Sequence, residues 1–126
     1  MRQEDKELLL KDLCARLPYG VKIQVPYEDG SGYFDETVWE VNNEGPFHVN
    51  GWGIEYEYVK PYLFPLSSMT EEQKKEYQYI TERWMNNPAY SISDSIDWLN
   101  KHHFDYRGLI EKGLALEAPE EMYKTE

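Results

Sequence analysis

The residues best equipped for chemistry lie close together near the C-terminus: His102, His103 and Asp105, followed by Tyr106 and Arg107. Imidazole and carboxylate groups bind divalent metals and move protons in hydrolysis. A metal-dependent hydrolase centred on His102, His103 and Asp105 is therefore one functional expectation. The spacing works against it. Neighbours on a helix point about 100° apart, so the two histidines converge only where the helix unwinds. The plainer reading places both histidines at a helix C-terminus, where the partial negative charge favours an imidazolium, with Asp105 capping the next helix. His48 adds a ligand only through a long-range approach.

Other reactive groups read as structural. Cys14 falls in the apolar stripe of the first helix, where a thiol is a small core residue with a raised pKa. Ser67-Ser68 lacks the Gly-x-Ser-x-Gly elbow of a hydrolase and belongs to the turn before Thr70. Gly30-Ser31-Gly32 lacks the lysine and following helix that a phosphate-cradling loop needs. The pairs Asp35/Glu36 and Glu71/Glu72 are sequence neighbours and face apart on regular structure. Glu55 and Glu57 share one strand face and could flank a scissile bond or hold a hard cation, but a solvated outer face opposite Ile54, Tyr56 and Tyr58 explains them more simply. No cofactor and no resident metal are expected.

Between Gly20 and Pro65 eight carboxylates face only two lysines, Lys22 and Lys60, and much of the net charge of −11 is there. Such a surface repels nucleic-acid phosphates and anionic lipid, and suits basic or apolar partners. The same stretch is rich in tyrosine and tryptophan, which dominate protein interfaces. One cysteine allows no internal disulfide and fits a reducing cytoplasm. The longest apolar runs fall far short of the ~20 residues of a spanning helix, and the charged N-terminus lacks a signal peptide's apolar core. An apolar content of 40% argues for a folded chain.

The elements that would position these residues follow from hydrophobic period. Leu10, Leu13, Cys14 and Leu17, widened by Leu9, mark an amphipathic helix over residues 3–17, with Asp5, Lys6, Lys11 and Asp12 on its wet side and Pro18 and Gly20 ending it. Val21, Ile23 and Val25 alternate as a half-buried strand, and a glycine turn leads to a second strand over residues 33–41. Phe47 and Val49 mark a third strand. Asn50-Gly51 is a tight-turn signal before a fourth, carrying Trp52, Ile54, Tyr56 and Tyr58. Pro61 and Pro65 are expected to stop regular pairing. Thr70-Glu71-Glu72-Gln73 reads as a capping box for a helix bearing Tyr77, Ile80 and Trp84, ended by Asn86-Asn87-Pro88. A third helix from Ser91 or Ser93 carries Ile92, Ile96, Leu99 and His103 on one side. A short fourth runs over residues 106–112, and the chain from Ala118 reads as a frayed tail.

Three stretches resemble small uncharacterised proteins encoded by phages, prophages and related mobile elements of anaerobic gut bacteria. They are Lys11-Asp12-Leu13-Cys14-Ala15-Arg16-Leu17-Pro18-Tyr19-Gly20, Val59-Lys60-Pro61-Tyr62-Leu63-Phe64-Pro65-Leu66-Ser67-Ser68-Met69-Thr70, and the segment from His103 to Ala115. That family carries no assigned activity, so the resemblance implies a mobile-element or bacterial cytoplasmic setting and brings no residue roles.

The resulting expectation is an α+β protein: an N-terminal helix with a small antiparallel SH3-like or Sm-like barrel, or a meander, over residues 1–66, and C-terminal helices over residues 67–126 packed on it. Its expected function is non-enzymatic binding of a protein partner, another copy of the chain included, with neither nucleic acid nor membrane. The residues expected to carry it are Tyr33, Trp39, Trp52, Tyr56 and Tyr58, with Tyr27 and Tyr62 in the same aromatic set. Besides the hydrolase, the alternative is an acidic mimic of duplex phosphate that occupies a DNA-binding protein.

Overall fold

The first helix, α1 (Gln3–Arg16), buries Leu9, Asp12, Leu13 and Arg16. These occupy i, i+3, i+4 and i+7, one face of a 3.6-residue period, but two of the four are ionisable. The buried face is thus rotated from the one the apolar residues alone predict. Asp12, expected on the wet side, is fully buried, and Cys14, expected in the core, is exposed. A 3-10 turn (Leu17–Tyr19) follows, and Gly20 at φ 69° ends it with its N–H on the Leu17 carbonyl. A side chain would be strained in that left-handed conformation.

The computed structural model describes residues 2–27, 29–38, 40–41, 46–47, 58–86 and 93–123. Strands β1 (Lys22–Pro26) and β2 (Tyr33–Thr37) form an antiparallel hairpin, with Ile23 opposite Glu36 and Val25 opposite Phe34. Two short strands, β3 (Glu40–Val41) and β4 (Pro46–Phe47), pair with each other in a separate small sheet. The predicted fourth strand lies almost wholly outside the described residues. Next come β5 (Lys60–Pro65), a second 3-10 turn (Leu66–Ser68), α2 (Glu71–Asn86), α3 (Ser93–Lys101), β6 (Phe104–Asp105) and β7 (Leu116–Glu117).

The main sheet has the order β2-β1-β5-β6, with β7 also paired to β5. β1 runs antiparallel to β5, whereas β6 and β7 run parallel to it. The protein is therefore α+β with an N-terminal helix and a mixed, open five-stranded sheet, not the closed antiparallel barrel or simple meander that the turn spacing favours. The prolines explain part of this difference. β5 carries Pro61 and Pro65 yet sits inside the sheet, because its neighbours share it out: β1 takes Lys60 and Pro61, β7 takes Tyr62 and Leu63, β6 takes Phe64 and Pro65. No partner needs a continuous row of donors. The bonds that matter use other residues, with the Phe64 N–H on the His103 carbonyl at 2.8 Å and the Ala118 N–H on the Leu63 carbonyl at 2.7 Å.

Leu9 and Leu13 pack against Val21, Ile23, Val25, Val38, Val59, Leu63, Leu109 and Leu114, which fixes α1 on one face of the sheet. Each buried leucine or valine contributes roughly 1.5–3 kcal/mol relative to exposure. A second cluster joins Trp98, Leu99 and Phe104 with Tyr77 and Ile80, tying α2 and α3 to β6. Ile96, expected on the inner face of α3, is 39% exposed, because Ser95, Trp98 and Leu99 occupy that face instead.

Helix α2 begins as its capping box predicts. The Thr70 hydroxyl accepts from the Gln73 N–H at 3.1 Å, and Gln73 Oε1 accepts from the Thr70 N–H at 2.9 Å. Replacing Thr70 with alanine is expected to cost about 1 kcal/mol, read as a lower urea midpoint; an unchanged midpoint would show that the cap adds nothing.

The predicted fourth helix does not form. Residues 107–115 make turns, and Asp105 ties them down: its two carboxylate oxygens accept from the Leu109 N–H at 3.0 Å and the Ile110 N–H at 2.9 Å. Nor is the chain frayed from Ala118 to Tyr123. Ala118 is buried, and the Tyr123 hydroxyl accepts from the Lys22 N–H and donates to the Tyr62 carbonyl, both at 2.8 Å.

Candidate functional site

Of the residues expected to bind a partner, the structure describes Tyr33 and Tyr58, and both stand at one end of the main sheet. In the β1–β2 hairpin, bonded backbone pairs occur at Val21 with Val38 and at Tyr27 with Gly32. These pairs alternate in an antiparallel ladder, so Ile23/Glu36 and Val25/Phe34 are bonded as well. Tyr33, Asp35 and Thr37 then turn their N–H and C=O groups away from β1. Their side chains are exposed too. β2 is the terminal strand, and among the described residues nothing pairs with its outer edge.

Three large aromatic side chains stand around this end of the sheet. Tyr33 is 63% exposed, Tyr58 57% and Tyr27 48%. Tyr27 leans on Phe34 with ring centroids 5.0 Å apart. Tyr58 lies two residues before Lys60, which pairs with Gln24, and so reaches the end where Pro26 meets Tyr33. Asp29 sits in the intervening turn, accepting from the Ser31 N–H, and that hydrogen bonding holds its carboxyl below the usual range. Tyr62 belongs elsewhere: it is buried, with its hydroxyl donating to Asp35 Oδ1 at 2.7 Å and accepting from Gln24 Nε2 at 3.1 Å. Burial, then the Asp35 carboxylate, push its pKa up. Trp39, Trp52 and Tyr56, like Glu55, Glu57 and His48, lie outside the described residues.

The histidine–aspartate constellation does not assemble. His102 packs at a tilt against Trp98, with ring centroids 4.4 Å apart, while His103 stacks on Tyr123 at 3.8 Å. Both Asp105 oxygens are occupied by backbone donors. Among the described residues no group of three or more histidine, cysteine or acidic side chains is arranged to hold a metal ion. Ser68 is likewise committed, its hydroxyl donating to the Pro65 carbonyl at 2.7 Å.

What brings His103 inside is its backbone. It follows α3 at φ 59°, the only described non-glycine residue with positive φ, and that turn swings the side chain off the helical path. His103 is only 3% exposed, and its Nδ1 has no hydrogen-bond partner. Burial lowers its pKa to about 4, with the Arg16 guanidinium acting in the same direction and a hydrogen bond with the Tyr19 backbone opposing. His102 is also lowered, by burial first, against the attraction of Glu76. Burial raises the Tyr123 hydroxyl.

Beside His103 lies a polar node that hydrophobic periodicity does not reveal. Arg16 Nε donates to Asp12 Oδ2 and Arg107 Nη1 to Asp12 Oδ1, both at 2.9 Å. Arg16 Nη2 donates to the Phe104 carbonyl. The two guanidiniums lie 5.5 and 4.5 Å from the Tyr106 ring centroid, and the Tyr106 hydroxyl donates to Asn100 Oδ1 at 2.9 Å. The available signal was the i, i+4 spacing of Asp12 and Arg16 on the face of Leu9 and Leu13; nothing local marks Tyr123. The node locks α1 to β6 and the turns after it; the one carboxylate is spent on two guanidiniums, which the Phe104 carbonyl and the Tyr106 ring also engage. Comparison with protein families, with curated proteins and with solved structures gives no match to this chain.

Proposed function

We propose that this chain is a non-enzymatic interaction module that receives an extended segment of a partner protein along the outer edge of β2. The observation that carries this reading is the coincidence, on Tyr33, Asp35 and Thr37, of outward backbone groups and exposed side chains. An unpaired strand edge is a template for a further strand; its hydrogen bonds supply affinity and its side chains specificity. Tyr27, Tyr33 and Tyr58 offer apolar area with hydroxyl tips, and the adjoining carboxylates favour a basic segment. Separate engagement of His102, His103 and Asp105 supports a binding role over a hydrolytic one. The cytoplasmic setting belongs to the same proposal, supported by the lone cysteine; no described helix is long and apolar enough to cross a membrane.

Affinity capture with the purified chain as bait tests the edge. Tyr33→Ala is expected to weaken capture about tenfold or more, and Thr37→Pro to do the same, since it deletes an outward N–H without touching the ladder to β1. Both variants are expected to keep the far-ultraviolet circular dichroism of the parent, and high salt is expected to weaken the parent's capture. Capture indifferent to both substitutions would end the proposal.

A further inference from the structure

A cavity of about 900 Å³ lies between the C-terminal segment, the start of α2 and the end of α3. No residue of the β2 edge lines it, so it is separate from the surface proposed above. Its volume is in the range of small-molecule sites. Phe64 and Tyr123 contribute aromatic surface, meeting edge-on at 5.9 Å, with the buried Phe104 behind them.

The polar groups around it are sorted by sign and depth. Lys22, Gln73 and His102 line the cavity and are half-buried. Lys22 Nζ donates once, to the Met122 carbonyl at 3.2 Å, and keeps further N–H groups to give. Gln73 uses its Oε1 on the cap, which leaves its amide NH₂. The acidic residues at the cavity, Glu117 and Glu120, are exposed, as is Lys101. Charges in open solvent are screened, while half-buried ones are screened much less. The inner polar character is therefore that of a donor, against the grain of a chain carrying −11.

His103 provides the independent sign. A non-glycine residue held at φ 59° and a buried ring nitrogen without a partner are both costs, and both fall on one residue of this cavity wall. Such costs cluster where a protein binds or reacts. We propose that the cavity is a binding site for a small planar organic anion, its ring lying against Phe64 and Tyr123 and its acidic group taken by Lys22, Gln73 and His102.

Anilinonaphthalene sulfonate, itself an aromatic anion, serves as the probe on the full folded chain. Its fluorescence is expected to rise saturably with one site per chain, and benzoate is expected to displace it where benzyl alcohol is not. The variant Lys22→Gln is expected to weaken binding about tenfold or more, while Lys112→Gln, which is exposed and outside the cavity, leaves it unchanged. The His102 and His103 imidazole resonances are expected to shift on saturation. Absence of saturable binding up to ~1 mM, equal displacement by the neutral alcohol, an equal loss in Lys112→Gln, or unmoved imidazole signals would each overturn the site.

Discussion

Replacing Asp12 by alanine is expected to cost about 3–5 kcal/mol of folding stability, measured by urea unfolding at neutral pH. Asp12 is fully buried and bonds two guanidiniums, Arg16 through Oδ2 and Arg107 through Oδ1. Arg16 is fully buried as well. Removing the carboxylate leaves its charge in a low-dielectric interior with the Phe104 carbonyl and the Tyr106 ring as neighbours, and leaves more of its donors unpaired than the Nη1 that already lacks a partner. Against a typical total of about 5–15 kcal/mol, this is enough to unfold a substantial fraction of the protein. The pair can be replaced more easily than broken. Asp12→Leu with Arg16→Met is expected to recover more than half of the loss, because similar apolar volumes need no compensating charge. A cost below about 1 kcal/mol for Asp12→Ala would mean the node behaves as a solvated surface pair.

Acidification is expected to remove about 3 kcal/mol of stability through His103 alone. Its pKa is about 4 in the folded protein against 6.5 for a free imidazole. The folded state holds it neutral, so its contribution is complete above pH 6.5 and is lost as the pH falls from there toward 4. Burial is the first cause; the Arg16 guanidinium and His102 add to it, and the bond with the Tyr19 backbone opposes it. Protonation would place a buried imidazolium beside the Arg16 guanidinium, and that desolvation and repulsion are what its stability loss reports. Carboxylates titrate in the same interval, and a variant isolates the histidine. His103→Asn tolerates the left-handed backbone and carries no titrating ring. Urea unfolding of both proteins across this pH range is expected to show a flatter loss in the variant. Parallel losses would refute a buried neutral His103.

The periodicity of the chain was enough to locate three helices and the first hairpin, though it also suggested a fourth helix over residues 106–112 that does not form. Thr70 and Gln73 lie three residues apart, and a capping box needs nothing further, so α2 starts where its residues say. Gly30 and Gly32 mark the β1–β2 turn for the same local reason, whereas β2 becomes a terminal strand only through the sheet order, which strand alternation does not report. The cap and the turn are short-range properties, decided by dihedral preference and by groups within one turn of each other.

Three features depended on distant partners, and a fourth, at Asp105, on a nearby capture of backbone donors that hydrophobic period does not report. Asp12 is buried because Arg107, 95 residues away, neutralises it together with Arg16. β5 tolerates Pro61 and Pro65 because three strands from different parts of the chain each take two of its residues. Asp105 stabilises turns in place of a helix because Leu109 and Ile110 bring their N–H groups to it. Tyr123 is ordered by Lys22 and Tyr62, which no pattern near the C-terminus announces. A polar side chain reads as solvated until its counter-charge or donor is known, and that counterpart is supplied by tertiary structure. Hydrophobic period identifies which elements exist; the pairing of buried polar groups decides how they are rotated, joined and closed.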